Sequence, residues 1–129
     1  MPDRFTVRGR LRSFRFAFRG IATMLTTQHN AWIHAAATVL VVLAGLTFGI
    51  TATEWTAIIL AILAVWIAEA LNTALELLAD ATSPDHHPLV EKAKNVAAGA
   101  VLISAIGAVA IGILILGPYC LRLWHSASG

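Results

Sequence analysis

Trp66-Ile-Ala-Glu-Ala-Leu-Asn-Thr-Ala-Leu-Glu-Leu-Leu-Ala-Asp80 closes a run that carries no charge from Ala57 to Ala68. Glu69 therefore lies inside what otherwise reads as a membrane-spanning helix. At 3.6 residues per turn, with Glu69 at zero, Asn72 falls at about −60°, Thr73 at about +40°, Glu76 at about −20° and Asp80 at about +20°. These five residues make one polar stripe, and the intervening positions are Ala or Leu. An ionisable group at bilayer depth costs at least about 2.5–3.5 kcal/mol, so it marks a functional site by default. Three acids on one face strengthen that reading over a lone structural ion pair.

Composition agrees with a bilayer environment. Of 129 residues, 58% are hydrophobic and 12% charged, with mean hydropathy +0.77. An average soluble domain is about 25% charged. Only seven acids are present, and Glu69, Glu76 and Asp80 are three of them, so the stripe is not surface scatter. The lone Cys120 allows no internal disulfide. The expected architecture is all-α and integral to the membrane: an N-terminal amphipathic interfacial helix and three transmembrane helices, in one domain over residues 1–129.

Residues 4–28 are predicted as the interfacial helix. Arg4, Arg8, Arg12, Arg15 and Arg19 recur at helical spacing on one side; Val7, Leu11, Phe14, Phe18, Ile21 and Leu25 occupy another. A cationic face opposite an aromatic-aliphatic face lies flat in the membrane interface. The recurring arginines argue against a cleaved signal peptide. They anchor the helix to anionic head groups or hold a polyanion such as a nucleotide phosphate. Residues 26–34 form a polar break with the character of an interfacial belt, including His29, Trp32 and His34. Spans are expected at about 31–50, 55–80 and 96–116, the last ending at Gly117-Pro118. A turn at 49–54 joins the first two. A connection at 81–95, broken by Pro84 and Pro88, joins the last two. Ala100, Ser104, Ala108 and Gly112 form a small-residue line that suits close helix approach. The N-terminus and the 81–95 connection hold six Arg and two Lys, against Arg122 alone on the other side. The N-terminus and the carboxylate stripe are therefore expected on the cytoplasmic side, with the C-terminus outside.

Carboxylates and an amide at a membrane interface, with cations nearby, suit a hydrated magnesium ion carrying substrate phosphates. A deeper carboxylate can take a proton from a lipid hydroxyl. Phosphoryl transfer needs chiefly positioning and charge neutralisation, which this arrangement offers. Acids on one face of a span also suit a proton or cation pathway, but residues 57–68 supply no polar relay beyond Glu69. No GxxxxGK[ST] or GxGxxG motif is present.

Glu69-Ala-Leu-Asn72-Thr73-Ala-Leu-Glu76-x-x-x-Asp80, followed by Lys92-Ala-Lys94-Asn95-Val-Ala-Ala-Gly99-Ala-Val-Leu102, resembles the signature of the prokaryotic diacylglycerol kinase family, which includes the undecaprenol kinases. The resemblance extends over nearly the whole chain. It implies a small homotrimeric enzyme of the bacterial cytoplasmic membrane, with active sites shared between subunits. Such an enzyme transfers the γ-phosphate of magnesium ATP to a membrane lipid alcohol, with no nucleic acid partner. By resemblance Glu69 is the catalytic base and Glu76 a metal-binding carboxylate. Asn72, Asp80 and Lys94 line the nucleotide and metal-phosphate site. Arg8, Arg12 and Arg15 belong to a helix that helps hold ATP, and His86 and His87 fall in a connection that touches the nucleotide. Two positions depart from the pattern. Gln28 stands where the family usually has a metal-binding Glu, and Asn95 where it usually has Asp. Gln28 still offers magnesium a carbonyl oxygen but less charge, so weaker metal affinity is expected. A catalytically weakened or non-catalytic homologue is the competing reading. The stretch from Gln28 to His34 resembles the undecaprenol kinase branch, while the acceptor itself stays open between diacylglycerol and undecaprenol.

Overall fold

The computed structural model describes residues 6–128, and for Val7 and Arg8 the backbone alone. Arg4 and the Arg8 side chain, both in the expected basic arc, lie outside the described residues. Four helices follow in order: α1 (Val7–Thr27), α2 (His29–Phe48), α3 (Ala52–Thr82) and α4 (Pro88–Ala127). The last three are long and apolar enough to cross a membrane. Thr6 caps α1, its hydroxyl accepting from the Gly9 N–H. Leu11, Phe14, Phe18 and Ile21 of α1 are exposed, and among its described side chains only Met24 near its end is buried.

The polar break predicted for 26–34 contracts to one residue. Gln28 alone is extended, at φ −106° and ψ 117°, and α2 resumes at His29. That single non-helical residue separates α1 from α2, and the short turn at 49–51 makes α2 run antiparallel to α3. Gln28 meets Glu76, His34 meets Glu69 and Thr38 meets Trp66. Partner numbers rise on α2 as they fall on α3, which defines the register of the pair.

Helix α2 ends at Phe48, with Gly49 in the left-handed region at φ 62°, a conformation that costs a glycine nothing. The turn is shorter than expected because α3 starts at Ala52, not near Trp55. The cause is a capping box. The Thr51 hydroxyl accepts from the Glu54 N–H, and the Glu54 carboxylate accepts from the Thr51 N–H at 2.7 Å. The T-x-x-E spacing carries that signal in the sequence. Starting from Ala52 puts Glu69 about 26 Å along α3, close to the far edge of a hydrocarbon core about 30 Å thick.

Helix α4 extends beyond the expected third span at both ends. It begins at Pro88, where the missing N–H costs nothing at the first helical position, and His87 caps it. It then runs through Gly117-Pro118, the expected terminus, to Ala127. Pro118 removes one backbone hydrogen bond, which normally breaks a helix. Side-chain contacts from the next turn outweigh that loss. The Tyr119 ring stacks on Phe48 at 5.6 Å, its hydroxyl donates to Glu54 at 2.9 Å, and Arg122 sits 4.5 Å above the ring.

Helix α3 is the central element, packing chiefly on α4 and also on α1 and α2. It carries most of the buried positions, Ile58, Ala61, Val65, Glu69, Asn72, Thr73 and Ala79. The small-residue line of α4 is only partly used within one chain. Nothing lies within 4 Å of where a Cβ on Gly112 would stand. The close approach occurs instead at Gly45, where a Cβ would come within 2.8 Å of the Trp55 ring.

Candidate active site

The polar stripe of α3 is graded by depth. Glu69, Asn72 and Thr73 are buried at 0%, 5% and 4% exposure, Glu76 is half-buried, and Asp80 is exposed. The Thr73 hydroxyl is satisfied locally, donating to the Glu69 carbonyl at 2.8 Å. The carboxylates are held in two different ways. Glu76 takes one donor on each oxygen, from Asn72 Nδ2 at 3.1 Å and from Gln28 Nε2 at 2.9 Å. Glu69 takes none. Neither of its oxygens, nor His34 Nε2, nor Asn72 Oδ1, has a hydrogen-bond partner, although all four atoms are buried. Buried polar atoms without partners are rare and cost about 1–3 kcal/mol each. Four of them within one turn of the Glu69–Asn72 segment and its α2 neighbour mark a place built for something other than stability.

Asp80 and Lys94, expected at the site from their positions in the sequence, do come together, with Nζ donating to Oδ1 at 3.1 Å. This pair ties the end of α3 to the start of α4. The Lys94 side chain is 38% exposed and that of Asp80 71%, so the pair adds little stability and leaves the ammonium accessible from outside. Asn95 is exposed on the next position of α4. His87 has a structural task as the α4 cap, with Nδ1 accepting from the Leu89 N–H at 3.2 Å. His86 faces Glu91 at 3.6 Å on the surface. Arg12 and Arg15 are exposed on α1.

His34, expected from sequence in an interfacial belt, faces the buried Glu69 instead. Its Nε2 lies 3.6 Å from Glu69 Oε2, and its side chain is 14% exposed. The available signal was its place several residues inside an apolar span, where any ionisable side chain invites a functional question. An apolar groove of about 550 Å³ runs between α2, α3 and α4, past Ala37, Ala61, Val65, Ala108 and Gly112. His34 is among its lining residues, and Cys120 lies toward its opposite end.

The donors fit a hard cation. Glu76 supplies carboxylate oxygens, the orphaned Asn72 Oδ1 lies on the same helix face, and the Gln28 amide presents its oxygen if it turns over, a choice of orientation that leaves its shape unchanged. Among the described residues no three His, Cys, Asp or Glu side chains form a complete metal cage. One or two carboxylates completed by substrate phosphates is the usual way magnesium is held.

The sequence model of the prokaryotic diacylglycerol kinase family matches residues 15–116. The chain belongs to that family. It is therefore a relative of lipid kinases, and the matched stretch contains the stripe, its α2 partners and Lys94. It is 40% identical over 107 residues to the undecaprenol kinase of Bacillus subtilis (strain 168), covering 83% of this chain and 87% of that protein. It is also 40% identical over 112 residues to the diacylglycerol kinase of Synechocystis sp. (strain ATCC 27184 / PCC 6803 / Kazusa), covering 86% of this chain and 64% of that longer protein.

Proposed function

We propose that this protein transfers the γ-phosphate of ATP to the hydroxyl of a membrane lipid, undecaprenol or diacylglycerol, at the carboxylate end of α3. The observation that carries this reading is the buried Glu69 carboxylate, free of any hydrogen bond, beside a half-buried Glu76 that is fully engaged. In the reaction the acceptor O–H bond breaks and its proton passes to a Glu69 oxygen. The alcohol oxygen forms a bond to the γ-phosphorus. The bond from that phosphorus to the β–γ bridging oxygen breaks, and ADP leaves with the electron pair. The burial of Glu69 keeps competing water from the carboxylate. Glu76 and Gln28 would hold magnesium, with Asn72 adjoining; the ion, when bound, neutralises charge on the triphosphate. Lys94, placed by Asp80, offers its ammonium to the phosphates, and Arg8, Arg12 and Arg15 on α1 add positive charge for the nucleotide. Asn95 and the His86-His87 connection flank the nucleotide.

On this reading α1 lies in the cytoplasmic interface of the bacterial inner membrane, with the N-terminus inside and the C-terminus outside. The exposed apolar faces of α2 and α4 meet lipid and neighbouring copies in a homotrimer. Equal identity to relatives named for two different acceptors leaves the acceptor to experiment. The test is phosphate transfer from magnesium ATP to undecaprenol and to diacylglycerol, side by side in bilayer discs, with Glu69→Gln as the blank. Transfer to one lipid names the acceptor. Absence of transfer to both by a folded protein supports the second reading, a catalytically weakened homologue. That reading is favoured by one observation, the neutral Gln28 facing Glu76 where the family pattern has an acid.

A further inference from the structure

His34 and Glu69 face each other across a gap with no hydrogen bond in it. Nε2 to Oε2 is 3.6 Å, longer than a hydrogen bond, and both atoms are buried and unpartnered. A hydroxyl oxygen at about 2.8 Å from each atom would bridge them from the side once the His34 ring, 14% exposed, gives way, and a hydroxyl is at once donor and acceptor. It would satisfy both orphans together, whereas an apolar group would satisfy neither.

The gap is held open by a fixed arrangement. One turn beyond His34, the Thr38 hydroxyl donates to the His34 carbonyl at 2.7 Å and accepts from Trp66 Nε1 at 3.1 Å. Trp66 is one turn before Glu69 on α3. This bolt ties the His34 turn of α2 to the Glu69 turn of α3, and so sets the separation of the two side chains. His34 also lines the apolar groove between α2, α3 and α4. A hydrocarbon chain lying in that groove would bring its polar head to His34, whose Nε2 lies 3.6 Å from the buried Glu69 carboxylate.

We propose that His34 is the residue that orients the acceptor hydroxyl, its Nε2–H donating to the hydroxyl oxygen while the hydroxyl hydrogen points at Glu69. The oxygen keeps a second lone pair for attack on phosphorus. This rests on the reading of Glu69 as the base. The occupant of the groove is the hydrocarbon chain of the same lipid alcohol.

The experiment exploits which nitrogen does the work. A Gln side chain places its amide N–H near the position of His Nε2, while Asn reaches only the position of Nδ1. His34→Asn and His34→Gln are compared with wild type and Glu69→Gln in bilayer discs, using whichever of undecaprenol or diacylglycerol the wild type phosphorylates. His34→Asn is expected to lower kcat for lipid phosphorylation by about 10²-fold, the scale of a misplaced reactant, with the KM for ATP within about twofold. His34→Gln is expected to recover about tenfold or more of that loss. Equal rates in the Asn and Gln variants, high or low, overturn the proposal, and so does a His34→Met variant as fast as His34→Gln, because Met fills the space of Gln without an N–H to donate. A dead Glu69→Gln beside a fully active His34→Asn overturns this proposal alone. Turnover that survives Glu69→Gln overturns the base assignment and this proposal with it.

Discussion

Glu54 and Glu69 sit on the same helix and are treated in opposite ways. Glu54, at the turn end of α3, is exposed to solvent or head groups in part, yet one of its oxygens accepts from the Thr51 N–H, the Thr51 hydroxyl and the Tyr119 hydroxyl. Glu69, at the carboxylate end, is fully buried and accepts from nothing. A structural acid is surrounded by donors because each donor lowers the energy of the fold. An acid that must take a proton from a substrate is better left without them. The turn end therefore holds the helices together, and the opposite end leaves open the place where we propose that the phosphate is transferred.

The comparison breaks first at the acids themselves. Glu69→Gln is expected to reduce lipid phosphorylation by about 10²–10⁴-fold, the range for loss of a general base, with the helical content unchanged. Glu54→Gln should leave the rate within about threefold and lower the thermal midpoint instead, as should Tyr119→Phe to a smaller degree. Paired turnover and thermal-unfolding measurements on the two Gln variants check this, and an inactive but normally stable Glu54→Gln would erase the distinction.

Gln28→Glu sharpens the contrast at the carboxylate end. It places a second carboxylate beside Glu76 where an amide N–H now donates. Like charges there repel until a cation binds, so the free magnesium needed for half-maximal rate should fall several-fold. Titration of activity against free magnesium measures it; an unchanged midpoint would mean that position 28 does not touch the metal.

Packing effects should be confined to the turn end. In Gly45→Ala the new Cβ would meet Trp55 at 2.8 Å and Ile50 at 3.1 Å, so a cost of about 1–3 kcal/mol from overpacking is expected, read in denaturation, with the rate per folded molecule unchanged. The smallest effect concerns the bolt. Trp66→Phe loses the donor to Thr38 and about 1 kcal/mol, and should lower kcat a few-fold through the displaced His34–Glu69 gap. A stability loss without any change in kcat would show that the bolt does not set that gap.

The spans and the stripe were legible because both are periodic. Hydropathy marked all three long helices, and a helical projection put Glu69, Asn72, Thr73, Glu76 and Asp80 on one face. The helix ends were less legible. The start of α3 at Ala52 is legible in Thr51-x-x-Glu54, whose capping box begins the helix inside the expected turn. The passage of α4 through Pro118 was not readable, since proline there argues for a stop and the stacking of Tyr119 on Phe48 joins residues 71 positions apart. The small-residue line of α4 was a good reading of composition that the single chain does not bury at Gly112.

The sequence by itself determined that the chain is helical and apolar, that acids line one face of its central helix, and which family motif that face resembles. These follow from spacing within one helix, where 1.5 Å per residue and 100° per residue leave no freedom. Only the tertiary structure decided that Gln28 reaches Glu76 while Glu69 accepts no hydrogen bond, and that His34 faces it. Those facts depend on the register between α2 and α3. That register is set by the turn at the left-handed Gly49 together with the Thr38–Trp66 bolt and the Gln28–Glu76 hydrogen bond, so no local pattern contains it.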